Sequence, residues 1–127
     1  MTVQEAISAA EALLPGAPAP DGELDARWQA IIEVSEYIPA NPDEVWAFAS
    51  RWGGSSDPDV RAAIATCVIE HLLEEHFDAI FPKVAQQARA DSNFARTVRM
   101  CWRLGQVEMP KNAARLEALL EQLRLTV

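Results

Sequence analysis

Apolar residues recur at spacings of three and four along almost the whole chain, the periodicity of amphipathic helices. No Asn-Gly or Asp-Gly hairpin turn separates runs of alternating polar and apolar residues. The sequence therefore predicts an all-α fold. The predicted helices cover residues 1–14, 23–38, 42–52, 58–75, 78–90, 92–104 and 110–125.

Capping residues mark several of these boundaries. Residues 2–5 form a Thr-x-x-Glu capping box that opens the first helix. Elsewhere a capping side chain precedes a proline in the first turn, where its missing N–H costs nothing. Two predicted starts show this pair: Asn41-Pro42 and Asp57-Pro58. Gly53 and Gly105 stand where left-handed C-terminal caps are expected.

One segment looks like a linker. Residues 15–22 contain three prolines, which favour an extended connector over a helix. We therefore expect an N-terminal helix over 1–14, the proline-rich connector over 15–22, and a single helical-repeat domain over 23–127.

Helix starts in that domain recur with a period of about 35 residues. The motifs Asp21-x-x-Leu24, Asp57-x-x-Val60 and Asp91-x-x-Phe94 are separated by 36 and 34 residues. Cys67 and Cys101 are also 34 residues apart, so we expect them at equivalent positions. Such a period is typical of stacked antiparallel helix pairs, although a helical bundle with similar helix lengths would also produce it.

The stretch Asp57-Pro-Asp-Val-Arg-Ala-Ala-Ile-Ala65 resembles the second helix of a HEAT repeat. The other two units depart from that pattern, with Asp25 and Ala95 where the arginine belongs. The resemblance implies a right-handed solenoid of about six to seven helices. It also implies a role in binding other macromolecules, because HEAT-like stacks serve mainly that purpose.

Charge is distributed unevenly along the chain, whose net charge is −8. Residues 1–80 carry fifteen acidic and three basic residues, whereas residues 81–127 carry four acidic and eight basic residues. In a stacked array the order along the chain is the order in space, so we expect an acidic and a basic end. This favours a basic protein as partner and makes nucleic acid an unfavourable one.

The acidic end contains our candidate partner-binding surface. We expect Asp43, Glu44, Asp57 and Asp59 to form one patch, with Trp46 as its apolar anchor. On a helical wheel, Trp46 points away from the predicted core face of its helix. The alternative is that Trp46 is buried between two helix pairs.

A basic stripe is predicted on the helix over 92–104, formed by Arg96, Arg99 and Arg103. On the opposite face, Trp102 is expected in the core, as are Leu24 and Trp28 of an earlier helix. The stripe supports an alternative function, because HEAT-like stacks include the alkylpurine DNA glycosylases, which are larger and have a basic concave face.

Potential catalytic and metal-ligating residues are few. His71, Glu75 and His76 could hold a metal ion in a metal-dependent enzyme, but the two histidines point about 140° apart on a regular helix. Cys67 and Cys101 lie on apolar faces and look like packing residues. We therefore expect no metal, no cofactor and no catalytic residue.

These observations favour a non-catalytic protein-binding module. Two cysteines without a leader pattern favour the cytoplasm, and no apolar run is long enough for a membrane helix. Small acidic proteins of this kind resemble immunity or antitoxin proteins, which cover a basic toxin.

Overall fold

The computed structural model describes residues 1–20 and 22–125. Their regular structure is entirely helical, which confirms the all-α prediction. The helices are α1 (Val3–Leu13), α2 (Ala26–Ser35), α3 (Pro42–Trp52), α4 (Pro58–Ile64), α5 (Glu70–Ala90), α6 (Ser92–Arg99) and α7 (Pro110–Leu125). A π-helical turn, Ala65–Ile69, joins α4 to α5, and a 3-10 turn, Gly105–Glu108, precedes α7.

Two of the predicted capping signals are confirmed. Thr2 and Glu5 form the complete capping box of α1, and the Asp57 side chain accepts a hydrogen bond from the N–H of Asp59 at the start of α4. Asn41, in contrast, makes no side-chain cap. Gly105 has the expected left-handed backbone, with a φ of +51°, but the prediction that it caps a helix is wrong: α6 ends at Arg99, and Gly105 begins the 3-10 turn.

The prediction that Gly53 is a left-handed cap is wrong, since its φ is −66°. The residue allows a close approach instead. A Cβ atom at this position would lie 2.7 Å from the ring of Phe94 on α6, closer than packed carbons can come. Gly53 therefore lets the end of α3 contact α6.

The helices pack in two alternating layers. Each of α1, α3 and α5 contacts the helix that follows it, and contacts also join α1 to α3, α3 to α5, and α5 to α7. The contacts of α3 with α5 include Asp43 with Lys83 and Ser50 with Gln87. Because the residue numbers in these contacts increase together, the two helices run parallel. This is the order of a helical stack, while a right-handed, HEAT-like superhelix remains a prediction.

Helix α1 and the connector pack against the remainder of the chain. Ala6, Ile7 and Ala10 of α1 belong to the same buried core as α2 and α3. The connector is held at Gly16, whose carbonyl accepts a hydrogen bond from Arg27 at 3.2 Å, and at Ala19, whose N–H donates to Asp25 at 3.2 Å. Its extended segment thus carries contacts as well as linking two helices.

The first repeat unit does not have the predicted register. Helix α2 begins at Ala26 with Asp25 as its cap, and Leu24 is 83% exposed rather than part of the core. Asp21, the expected start of this unit, lies outside the described residues. The equivalent caps are therefore Asp25, Asp57 and Asp91.

The predicted break near residue 76 is present. Within α5, His76 has non-helical backbone angles (φ −137°, ψ 45°). The side chain of Gln106 spans this break: its oxygen accepts from the N–H of Phe77 and its amide donates to the carbonyl of Glu75, both at 2.8 Å. One side chain thereby satisfies two backbone groups that the helix leaves unpaired.

Candidate protein-binding surfaces

Four charged side chains meet where α2 and α4 begin, and we call them the Arg27 cluster: Asp25, Arg27, Asp57 and Asp59. The Arg27 guanidinium forms ion pairs with all three carboxylates, and the Nη1 atom lies 3.2 Å from Asp57. Asp25 and Asp57 are also the N-terminal caps of their helices. The cluster thus ties two successive helices of one layer together through their first turns.

Burial divides this cluster into an enclosed cation and partly open anions. The Arg27 side chain is only 4% exposed, whereas those of Asp57 and Asp59 are 40% and 42% exposed. Trp28 covers part of Asp59 and donates its indole N–H to that carboxylate at 3.1 Å. The predicted core position of Trp28 is therefore a half-buried one with a polar contact.

The pKa values of the cluster follow from these bonds. Burial alone would raise the pKa of Asp57, but hydrogen bonds from the N–H of Asp59 and from Arg27 outweigh it and lower the pKa. The pKa of Asp25 is lowered in the same way, by bonds from Arg27 and from the N–H of Ala19. Both carboxylates therefore stay ionised at neutral pH.

The structure does not bring the predicted acidic patch together. Asp43 and Glu44 lie in the first turn of α3, and Asp43 pairs with Lys83 of α5 at 3.6 Å. Asp57 and Asp59 follow the opposite end of α3, about 15 Å away by the helical rise. Because only five residues separate the end of α3 from the start of α4, the start of α4 lies beside the end of α3 rather than its beginning.

Trp46 is half-buried, between the two possibilities considered from the sequence. Its ring packs edge-on against Phe94 of α6, with centroids 5.9 Å apart and planes at 87°. The remaining face borders a groove of about 340 Å³ between α3 and α5, lined also by Lys83, Gln86, Gln87 and Ala90. Trp46 is thus mainly a packing residue with one accessible face.

The predicted basic stripe is divided because α6 ends at Arg99 rather than near residue 104. Arg96 bonds to Asn93 within its own helix, while Arg103 lies beyond the helix and pairs with Glu117 of α7. The DNA-binding alternative therefore loses the continuous row of arginines on which it depended.

Trp102 is also absent from the core that the sequence predicts, being 73% exposed. The buried carboxylate of Glu70 accepts a hydrogen bond from the N–H of Trp102 at 2.8 Å, which fixes the backbone beyond α6. The spacing of apolar residues could not reveal that α6 ends before Trp102, because Phe94 and Val98 continue in helical register to Cys101 and Trp102. The hydrogen bond to Glu70, which lies 32 residues away in the sequence, is a long-range contact that local apolar spacing does not contain.

The candidate metal ligands do not converge. His71 contacts Glu74, with its Nδ1 atom 2.8 Å from the carboxylate, rather than Glu75. The Nε2 atom of His76 lies 3.2 Å from the carbonyl of Ile38. Among the described residues, no group of three or more His, Cys, Asp or Glu side chains is placed to hold a metal ion.

Both cysteines are free thiols in packed surroundings. Burial raises the pKa of Cys67, and it raises the pKa of Cys101 far more. Because a thiol reacts as its thiolate, these shifts lower the reactivity of both groups. The Cys101 thiol instead donates to the carbonyl of Ala65 in the π-helical turn, at 3.5 Å.

No described helix combines the length and apolar character needed to cross a membrane. A scan against protein-family models, a search of curated proteins and a search of solved structures each find no match to this chain.

Proposed function

We propose that this protein is a non-catalytic binding module that engages a basic protein through its acidic end, in the manner of an immunity or antitoxin protein. The observation that carries the proposal is the Arg27 cluster, in which three carboxylates surround one enclosed cation. The cluster keeps two uncompensated negative charges at the surface.

Fixed geometry makes these carboxylates suitable for recognition. Asp57 and Asp59 are each held by Arg27, and Asp59 also by Trp28, yet both keep accessible oxygens. Their rotamers are therefore ordered before binding, which lowers the entropy lost when a partner lysine or arginine docks. Excess charge of one sign also accelerates encounter with a basic partner.

Further carboxylates extend the acidic field along α2. Glu33 on α2 and Glu36 directly after it are exposed, and the described residues show no ion pair for either. They contribute to long-range attraction, whereas Asp57 and Asp59 supply directional contacts. We place the protein in the cytoplasm, where both thiols would remain reduced.

The test is capture of proteins from an extract of the native host at low salt. The immobilised baits are the wild type, an Asp57→Asn/Asp59→Asn variant, and an Asp43→Asn/Glu44→Gln control that removes the same charge at the other end of α3. Asparagine at 57 retains the capping function, but both substitutions also remove ion pairs with the buried Arg27, so the melting temperature of each bait must first show that it is folded.

We expect the wild type and the control to retain one or a few basic proteins, and the Asp57→Asn/Asp59→Asn bait to lose them. Moderate salt should release them, because exposed charges are screened. Equal recovery by all three folded baits, or recovery of no basic protein by the wild type, would overturn the proposal.

A further inference from the structure

A second surface lies at the opposite end of the stack, in the cleft between the second half of α5 and α7. The cleft has a volume of about 390 Å³, and its lining residues are Phe81, Arg89, Arg115, Ala118, Leu119 and Gln122. Phe81 and Leu119 form an apolar floor, being 7% and 2% exposed. The walls carry two guanidinium groups, one from each helix.

Arg115 is held over aromatic rings at one end of the cleft. Its guanidinium carbon lies 5.3 Å from the centroid of Phe77 and 5.0 Å from that of Phe81, and these rings are stacked 4.8 Å apart. Asp78 contacts the Nη1 atom of Arg115 at 3.4 Å. This orientation leaves Nε and Nη2 of the same guanidinium without a hydrogen-bond partner among the described residues.

Arg89 occupies the other end. Its Nε donates to the side-chain oxygen of Gln122 at 2.7 Å, and the described residues show no carboxylate paired with it. Arg115 contacts Asp78, and Arg89 contacts Gln122, so α5 and α7 run parallel. Arg115 and Gln122 are seven residues apart on α7, which places the two contacts about 10 Å apart along the helix. Two cations thus flank an apolar floor, with one carboxylate nearby.

We infer that this cleft binds a small organic carboxylate with an apolar body. The carboxylate would accept hydrogen bonds from the free donors of Arg115 or Arg89, whose planar guanidinium groups match it geometrically. The apolar body would lie over the exposed Ala118 and the accessible edges of Phe81 and Leu119. An apolar floor with a few oriented polar groups is typical of a small-molecule site, and the cleft volume falls in the usual range.

The distribution of charge along the chain favours binding of an anion in the cleft between α5 and α7 over binding at the acidic end. The protein as a whole is acidic, but residues 81–127 carry eight basic against four acidic residues. This inference does not depend on the proposed function, because it uses neither the Arg27 cluster nor a protein partner.

The experiment titrates 15N-labelled full-length protein with 4-phenylbutyrate at low salt, and separately with 4-phenylbutanol as the uncharged match. We expect saturable shifts of the amide signals of α5 and α7 with the acid, with a Kd of about 1 mM for a probe of this size. The alcohol should bind about tenfold more weakly.

Variants assign the binding to the cleft. Arg115→Gln and Arg89→Gln should each weaken the acid several-fold, while Arg124→Gln should not. Arg124 is the matched control, since it lies on α7 but pairs with Glu121 outside the cleft. If Arg115→Gln disturbs the fold, the affinity of Arg89→Gln for the acid is the test of the cleft.

The inference would be overturned by equal shifts with the acid and the alcohol, by unchanged affinity in both cleft variants, or by equal weakening of binding in Arg124→Gln. Shifts scattered over the whole surface would also overturn it, because they show unspecific attraction to positive charge.

Discussion

The two ends of this helical stack use arginine and aspartate in opposite ways. At the acidic end, one arginine is enclosed by three aspartates, whereas the α5–α7 cleft has two arginines and the single carboxylate of Asp78. In the first case the cation is buried and the anions face outward. In the second the cations border an open cleft.

This difference shows that burial, as well as composition, determines what a charged group does. Arg27 loses almost all contact with water, so it requires its three partners and serves mainly to join α2 to α4. Arg115 keeps part of its guanidinium exposed and rests on aromatic rings, so it can form the α5–α7 contact and still retain donors for a ligand. The following changes test this contrast.

The largest effect is expected from Arg27→Ala. It would leave three carboxylates close together without their cation, and the free energy of unfolding should fall by about 3 kcal/mol. Denaturant unfolding measures the change, with exposed Arg124→Ala as a control that should shift by less than about 0.5 kcal/mol. If both variants lose a similar, small amount of unfolding free energy, the burial of Arg27 among the three carboxylates does not contribute to stability.

Trp46→Ala tests the packing between the two ends. Loss of the contact with Phe94 should reduce the free energy of unfolding by about 2 kcal/mol, less than for a fully buried tryptophan. Trp102→Ala is the comparison, and its 73% exposure predicts a change below about 0.5 kcal/mol. If Trp46→Ala instead leaves the free energy of unfolding unchanged but abolishes binding of a protein partner, Trp46 is a binding anchor and not a packing residue.

Acid should weaken the acidic end selectively. The folded protein lowers the pKa values of Asp25 and Asp57, so their contribution to stability is complete above the unfolded pKa of about 4. It is lost as the pH falls through the folded values. Unfolding measured from pH 7 to pH 3 should show the gap between wild type and Arg27→Ala narrowing below pH 4, and a constant gap would contradict this.

A smaller effect on stability than that of Arg27→Ala is expected from Arg115→Gln. Its contacts with Asp78 and with the two rings are partly exposed, so the free energy of unfolding should change by about 1 kcal/mol or less. A loss as large as that of Arg27→Ala would show that both arginines are structural, and the contrast between the two ends would disappear.

Local sequence signals determined much of the fold. Apolar periodicity and capping residues placed α3 at its observed bounds and located the start of α4 and the break near His76. These features depend on neighbours within one or two turns, which is why a single sequence can reveal them. The charge imbalance between the two ends is likewise a property of the sequence alone.

Contacts between residues about 30 positions apart determined the remainder. Helix α6 ends early, Glu70 binds the backbone N–H of Trp102 beyond it, and the Trp102 side chain lies in solvent, although helical periodicity continues through that tryptophan. Arg27 binds Asp57 and Asp59 in its cluster, while the length of α3 separates them from Asp43 and Glu44. The sequence states which groups are charged, but tertiary packing decides which of them are enclosed together, because desolvation depends on neighbours that no local pattern contains.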